Sequence, residues 1–451
     1  MKNYSKNILL ISFSFLIYLS FLLGFYFNEN SAGAGGYGGD LTWMWDNFEI
    51  YKSNDLWTAI HHPDFWGNRT PLLYVLHILF NPFINDIDTY RLTVFCISFL
   101  APLMFYFCLS QKFKSTNKIT LFFISSFILL SPYFRTNSYW GGEVNYGIIS
   151  MLASIFFLNY TLLDKTEKKL NIYTIITLLT FFSSLCIYFD QKLIIIPIFI
   201  FFKIMLSELN LRYKIYCVIN YSLFAIPFLY LIFIWKGLIP PATQIGSPDQ
   251  GSSLSTINIY FFHFGYASAI MAFYLLPLIF LKSGNLIISF KNFFYDRINL
   301  YCILFFIFYL FYLIVFYDFE NFTTIKQFST TAHGVYGLGI LHKISLILFD
   351  NLFYRKIFTY MAFLSSWIIV LFAIGRENIN ILIIVFFYLI SLIIFPLMQE
   401  YFDPYIIILA LLIFKTNLDL VFKKLLICFL YLAFFLLSAN LYYLLKFSNI
   451  Y

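Results

Sequence analysis

Apolar runs of about twenty residues recur along this chain from residue 8 to residue 445, and no other feature restricts its fold so tightly. In lipid every backbone polar group must be satisfied within the protein, so such runs are read as membrane-crossing helices. Only 11% of residues are charged, against about one quarter in an ordinary soluble domain, while 61% are hydrophobic and 23% aromatic; the mean hydropathy is +0.80. These proportions exclude a soluble enzyme, a nucleic-acid binder, a disordered scaffold and a bitopic receptor. The net charge of +7 then concerns the distribution of basic residues between two membrane faces, and no nucleic-acid partner is expected.

Apolar stretches set against polar breaks predict an all-α, polytopic membrane helix bundle of thirteen spans, forming a single transmembrane domain over residues 1–451. The spans are expected near 8–27, 90–111, 119–133, 144–163, 171–189, 193–206, 214–236, 258–281, 300–316, 357–374, 378–398, 404–414 and 424–445. A segment at 335–353 either spans or lies flat, because His342, Lys343 and Asp350 are costly in hydrocarbon. With the N-terminus inside, 18 of the 29 basic residues and 6 of the 22 acids fall on the cytoplasmic side, giving +12 inside and −5 outside. Lys2 and Lys6 precede a first apolar run longer than a signal-peptide core, with no small-x-small cleavage site after it, so that run is expected to be retained. The six cysteines all fall in apolar runs and suggest neither a disulfide framework nor a metal site.

Three outer stretches exceed a simple turn: 28–89, 237–257 and 317–356. Any chemistry is therefore expected on the outer face. The 237–257 loop, rich in Pro, Gly and Ser, reads equally as a lid or as a flexible connector. In 28–89, a glycine-rich run ends at Asp40, and Leu41, Met44, Trp45, Phe48 and Tyr51 then follow helical spacing. This pattern predicts an amphipathic helix in the membrane interface. Asp40 can serve as its N-cap, or can face a ligand that the glycines allow to approach closely; the two roles are compatible. The adjacent His61 and His62 lack the spacing of a helical metal site.

Together, Asp40 soon after the first span, the juxtamembrane helix, His62-Pro63 and Pro71-Leu72-Leu73-Tyr74 entering an apolar run resemble the polytopic GT-C glycosyltransferases, specifically the protein-O-mannosyltransferase and aminoarabinose-transferase-like branch. The resemblance implies that Asp40 matches the family's first-loop catalytic Asp, and that the donor is a sugar on a polyprenyl phosphate used on the outer face. It extends to Ser131-Pro132 followed by Glu143, which stands where Asp is commoner and would orient the acceptor or a metal. It also extends to Asp190-Gln191-Lys192, where similar enzymes turn a Lys towards the donor phosphate. Bare spacing leaves Glu143 equally readable as a solvated helix start, and Asp190 with Lys192 as an ion pair closing a hairpin. Arg135, His62, Arg69 and Tyr401 complete the substrate-binding set. Tyr401 lies in Gln399-Glu400-Tyr401-Phe402-Asp403-Pro404, which has Gln or Glu where the family's late motif has a basic residue.

The expected activity is inverting transfer of the sugar to an acceptor hydroxyl on a glycan, lipid or protein, in cell-surface glycan synthesis at a bacterial cytoplasmic membrane. No cofactor is required by the sequence; a divalent cation is compatible with it, although the acids are too scattered to define a coordination sphere. Two alternatives are an O-antigen-type polymerase, whose outer loops would be rich in arginine, and a flippase or transporter of lipid-linked oligosaccharide, which would show internal repeats and ionisable residues at the bilayer midplane.

Overall fold

The computed structural model describes residues 2–32, 39–67, 70–162, 171–241, 243, 259–317, 339–394 and 397–447. Among these the regular structure is helical, apart from an isolated bridge between Lys282 and Leu418. In chain order the helices are α1 (Lys2–Tyr26), α2 (Asp40–Ser53), α3 (Leu56–Ile60), α4 (Leu72–Phe80), α5 (Ile87–Ser98), α6 (Leu100–Lys112), α7 (Lys118–Ser125), α8 (Pro132–Tyr139), α9 (Val144–Leu162), α10 (Ile172–Phe189), α11 (Ile195–Met205) and α12 (Leu211–Trp235). They continue with α13 (His263–Leu281), α14 (Leu286–Tyr295), α15 (Arg297–Phe316), α16 (Gly339–Leu348), α17 (Leu352–Ile374), α18 (Asn378–Ile393), α19 (Tyr405–Leu412) and α20 (Phe422–Phe447). The chain divides into two compact units, Met1–Thr256 with Leu432–Tyr451, and Ile257–Tyr431.

Nine helices among the described residues are long and apolar enough to cross a membrane; α5 and α6 run on as one of them, Ile87–Lys112. The sequence reading of thirteen spans is therefore reduced, for identifiable local reasons. The range 119–133 does not run straight: α7 continues as a 3-10 turn and then bends by 70° into α8, a pair that counts as a tenth span if taken together. Pro132 has no N–H to continue the helix and holds Ser131 in an extended conformation, while the Ser131 hydroxyl accepts the Phe134 N–H and starts the new helix. The ranges 193–206, 378–398 and 404–414 become α11, α18 and α19, of 11, 16 and 8 residues. At 1.5 Å per residue these fall short of a hydrocarbon layer of about 30 Å. The described helix in 335–353 has 10 residues and is also too short to span.

In each of the nine long helices, Asp, Glu, Lys and Arg occur only among the first five or the last two residues. Their middles are held by apolar packing and by hydroxyls that bond within the helix, such as Ser98 on the Val94 carbonyl and Thr180 on the Ile176 carbonyl.

In the first unit, hydrogen bonds gather one set of helix ends beneath the 39–86 loop. Arg91 at the start of α5 donates to the carbonyls of Phe25 in α1 (3.1 Å) and Tyr139 in α8 (2.5 Å). The Thr70 hydroxyl donates to the Tyr188 carbonyl near the end of α10 (2.5 Å), and the Trp235 indole at the end of α12 donates to the Ile60 carbonyl (3.3 Å).

Candidate functional site

Of the five α2 residues in helical spacing, Leu41, Phe48 and Tyr51 are buried and Met44 and Trp45 are half-exposed, while Trp43 is exposed. Phe48 packs edge-on against Tyr74 and His77 of α4 and lies 4.6 Å from the Tyr90 ring. Asn47 is buried among them. Its side chain donates to the Trp66 carbonyl (2.5 Å) and the Tyr74 hydroxyl (3.0 Å) and accepts the Trp66 N–H (3.2 Å), tying three parts of the loop together. The N-cap of α2 is Gly39 and not Asp40, which occupies the exposed first helical turn, where its charge complements the helix dipole.

The start of α2 rests on the turn before α9. Gly141 has φ +77°, and a Cβ on it would lie 2.6 Å from the Tyr90 ring and 3.1 Å from Leu41 Cδ1, so only glycine permits the approach. The Tyr90 hydroxyl donates to the Gly141 carbonyl (2.5 Å) and fixes the turn. Leu41 follows Asp40, and Glu143, buried to 9% exposure, stands two residues after Gly141. One turn further along α9, a Cβ on Gly147 would lie 3.0 Å from Leu193 Cδ1 and 3.6 Å from Asp190 Cβ. Gly141 thus packs against the start of α2 and Gly147 against the end of α10, and Glu143 lies between these two glycines in the chain.

Asp190 ends α10 and caps the 3-10 turn that follows, accepting the Lys192 N–H (3.1 Å). The Lys192 ammonium lies 3.3 Å from the same carboxylate, with side-chain exposures of 15% for Lys192 and 1% for Asp190. The cation is thus held by a buried anion while keeping partial access to its surroundings. Gln191 between them donates to the Leu238 carbonyl (2.7 Å).

Arg135 has all five N–H directions engaged within the protein. It binds Glu29 in two-pronged fashion (2.8 and 2.5 Å), the Ser20 carbonyl and hydroxyl (2.7 and 3.3 Å) and the Leu129 carbonyl (3.1 Å). Glu29 also accepts from Asn440 (3.3 Å), and its backbone carbonyl accepts the Trp140 indole (3.0 Å). Arg135, expected in the substrate-binding set, is here the clasp joining α8 to the end of α1.

His77 donates to or accepts from the Tyr146 hydroxyl through Nε2 (2.7 Å) and contacts Asn81 through Nδ1 (3.1 Å). Burial holds its imidazole down to about 4, so it is neutral near pH 7. Desolvation likewise raises the Tyr51 phenol well above its ordinary range. His62 is half-exposed, accepting the Asp64 N–H at 3.2 Å. Arg69 lies outside the described residues. Tyr401 closes a 3-10 turn in the second unit, beside Gln399, which donates to the Tyr274 hydroxyl (2.8 Å). Of the 237–257 loop, residues 237–241 and 243 are described; Thr243 is buried and exchanges hydrogen bonds with the Gly67 N–H and carbonyl, both at 2.9 Å.

Among the described residues no three of His, Cys, Asp and Glu are grouped so that they could hold a metal ion. No family model, no curated protein and no solved structure matches this chain.

Sequence reasoning missed Glu29, Arg91, His77 and Asn47. Glu29 offered a signal, an acid directly after the first apolar run, and Arg91 another, a cation within one; the latter is stacked between Phe25 and Trp140 at 4.5 and 4.4 Å.

Proposed function

We propose that this protein is an integral-membrane inverting glycosyltransferase, moving a sugar from a polyprenyl-phosphate donor to an acceptor hydroxyl on the outer face of a cell membrane. The observation that carries the reading is the packing of Leu41 against Gly141, which brings the helix start bearing Asp40 to the turn bearing Glu143. The approach of Gly147 to Asp190 then adds the Asp190–Lys192 pair to the same end of the unit.

In this mechanism the acceptor oxygen attacks the anomeric carbon while the Asp40 carboxylate takes its proton, a contribution of about 10²–10⁴-fold for a positioned base. The bond to the phosphate breaks with its electron pair leaving on the phosphate oxygen, and the Lys192 ammonium balances that charge. Asp190 holds Lys192 in place, and Glu143 orients the acceptor. Arg135, with its donors engaged by Glu29 and by carbonyls, acts as a positioning residue rather than a phosphate ligand. The α2 helix lies at the headgroup level, where Trp43, 59% exposed, meets the interface.

The absence of charge from the middles of the nine long helices weighs against the transporter alternative, in which ionisable groups line a path at mid-bilayer. The test is to incubate the purified protein with a panel of radiolabelled polyprenyl-phosphate sugars. Consumption of one donor by the native protein and its loss in Asp40→Asn supports the reading; a folded native protein that consumes none of them overturns it.

A further inference from the structure

We propose that one end of the second unit is a binding surface for anionic phospholipid headgroups, with α14 as the element that enters the lipid. The surface is assembled by short connections between helix ends. The Ser283 N–H donates to the Asn417 carbonyl (3.0 Å), the Asp419 N–H to the Leu281 carbonyl (2.6 Å) and the Lys415 N–H to the Asn380 side chain (2.9 Å). The Lys424 ammonium reaches the Lys282 carbonyl (2.7 Å). Two acids at this end are already engaged by internal cations, Asp296 by Arg376 and Asp419 by Lys424. Lys282 is likewise engaged, donating to the Phe372 carbonyl at the end of α17 and lying over its ring at 4.6 Å.

Four cations remain exposed on the same end: Lys291, Arg297, Lys415 and Lys423. One further exposed acid among the described residues at this end, Glu377, stands at the start of α18, so the described surface retains an excess of positive charge. Between α13 and α15, α14 turns Phe293 inward, onto Phe372, and leaves Ile287 at 81% and Ile288 at 57% exposure. Lys291 lies on its outward side, 6.0 Å over the Tyr295 ring. A ten-residue helix with one side packed on protein, apolar residues exposed and a lysine beside a tyrosine matches an element lying at the plane of lipid headgroups. The phosphodiester of an acidic lipid supplies negative charge that balances this excess.

The experiment reconstitutes the full chain in nanodiscs of equal parts phosphatidylglycerol and phosphatidylcholine and counts the lipids retained on the protein by native mass spectrometry. The native chain is expected to retain phosphatidylglycerol preferentially, and each neutralised cation to weaken that preference by about fivefold. The preference is expected to vanish in a variant carrying Lys291→Gln, Arg297→Gln, Lys415→Gln and Lys423→Gln. A control carrying Lys52→Gln and Lys236→Gln, both in the first unit, is expected to keep it. Equal retention of the two lipids by the native chain, or an undiminished preference in the fourfold variant, overturns the proposal. If that variant does not fold, the native chain at 0.5 M salt decides: screening, with a Debye length of a few Å (about 3 Å at 1 M), is expected to abolish the preference, and its persistence overturns the proposal.

Discussion

The Tyr188 hydroxyl is inserted into the backbone of α12 next to Pro227: it donates to the Phe224 carbonyl at 2.6 Å and accepts the Phe228 N–H at 3.0 Å. It thereby bridges the two ends of one helical turn, at the place where proline removes a donor from the ladder. The carbonyl of the same tyrosine receives the Thr70 hydroxyl, so one residue joins the first loop to the interrupted helix. Tyr188→Phe is expected to cost about 0.5–1.5 kcal/mol. Faster hydrogen exchange at the Phe228 amide, with overall helix content preserved, is the measurement that checks it.

Removing Arg135 leaves Glu29 as a largely buried carboxylate without its main partner. Arg135→Ala is expected to destabilise the protein by about 3–5 kcal/mol. Arg135→Lys is expected to recover part of this, because one ammonium cannot meet Glu29, Ser20 and Leu129 together. Thermal unfolding in detergent reads both effects, and a melting temperature unchanged in Arg135→Ala contradicts the clasp.

Asp40 is exposed and does not cap its own helix, so Asp40→Asn is expected to alter stability by no more than about 0.5 kcal/mol. Under the proposed function, sugar transfer is expected to fall by about 10²–10⁴-fold. Parallel measurement of turnover and melting temperature separates the two expectations.

His77 gives the first unit an acid sensitivity whose sign follows from its burial. Between its ordinary value of 6.5 and the folded value of about 4, the unfolded chain binds a proton that the folded chain refuses. This stability is whole above pH 6.5 and declines as the pH drops towards 4, by up to about 3 kcal/mol. His77→Gln is expected to flatten this part of the pH profile relative to the native chain, as read by melting temperature across that range.

Gly141→Ala places a methyl group against Tyr90 at a positive φ and is expected to cost about 1–3 kcal/mol. The distinguishing readout is limited proteolysis of the 39–86 loop, which is expected to accelerate as Leu41 loses its support. Unchanged cleavage contradicts the role assigned to this turn.

Helical periodicity is a local property, so the spacing of Leu41, Met44, Trp45, Phe48 and Tyr51 was enough to identify α2 as a helix; that Leu41, Phe48 and Tyr51 are buried while Met44 and Trp45 stay half-exposed depends on what packs against it. Asn47 reads as polar and therefore outward, yet it is buried; its partners Trp66 and Tyr74 are 19 and 27 residues away and create the polar interior it needs. Arg135 shows the same limit on a larger scale. A guanidinium suits a phosphate or a carboxylate equally, and what occupies it is Glu29, 106 residues distant. The reduced number of spans has a different origin. Hydropathy registers apolar content and not helix length or straightness, so the short α11, α18 and α19 and the bent α7–α8 pair read like full spans.

Confining charge to the extremities of the nine long helices has an electrical consequence. Carrying one elementary charge through 100 mV is worth about 2.3 kcal/mol, and that work is available only to a group that moves across the field. No Asp, Glu, Lys or Arg stands in the interior of those helices to do so. A shift confined to the middles of those helices would therefore move no side-chain charge through the field, and any voltage sensitivity would have to come from their ends or from the elements between them.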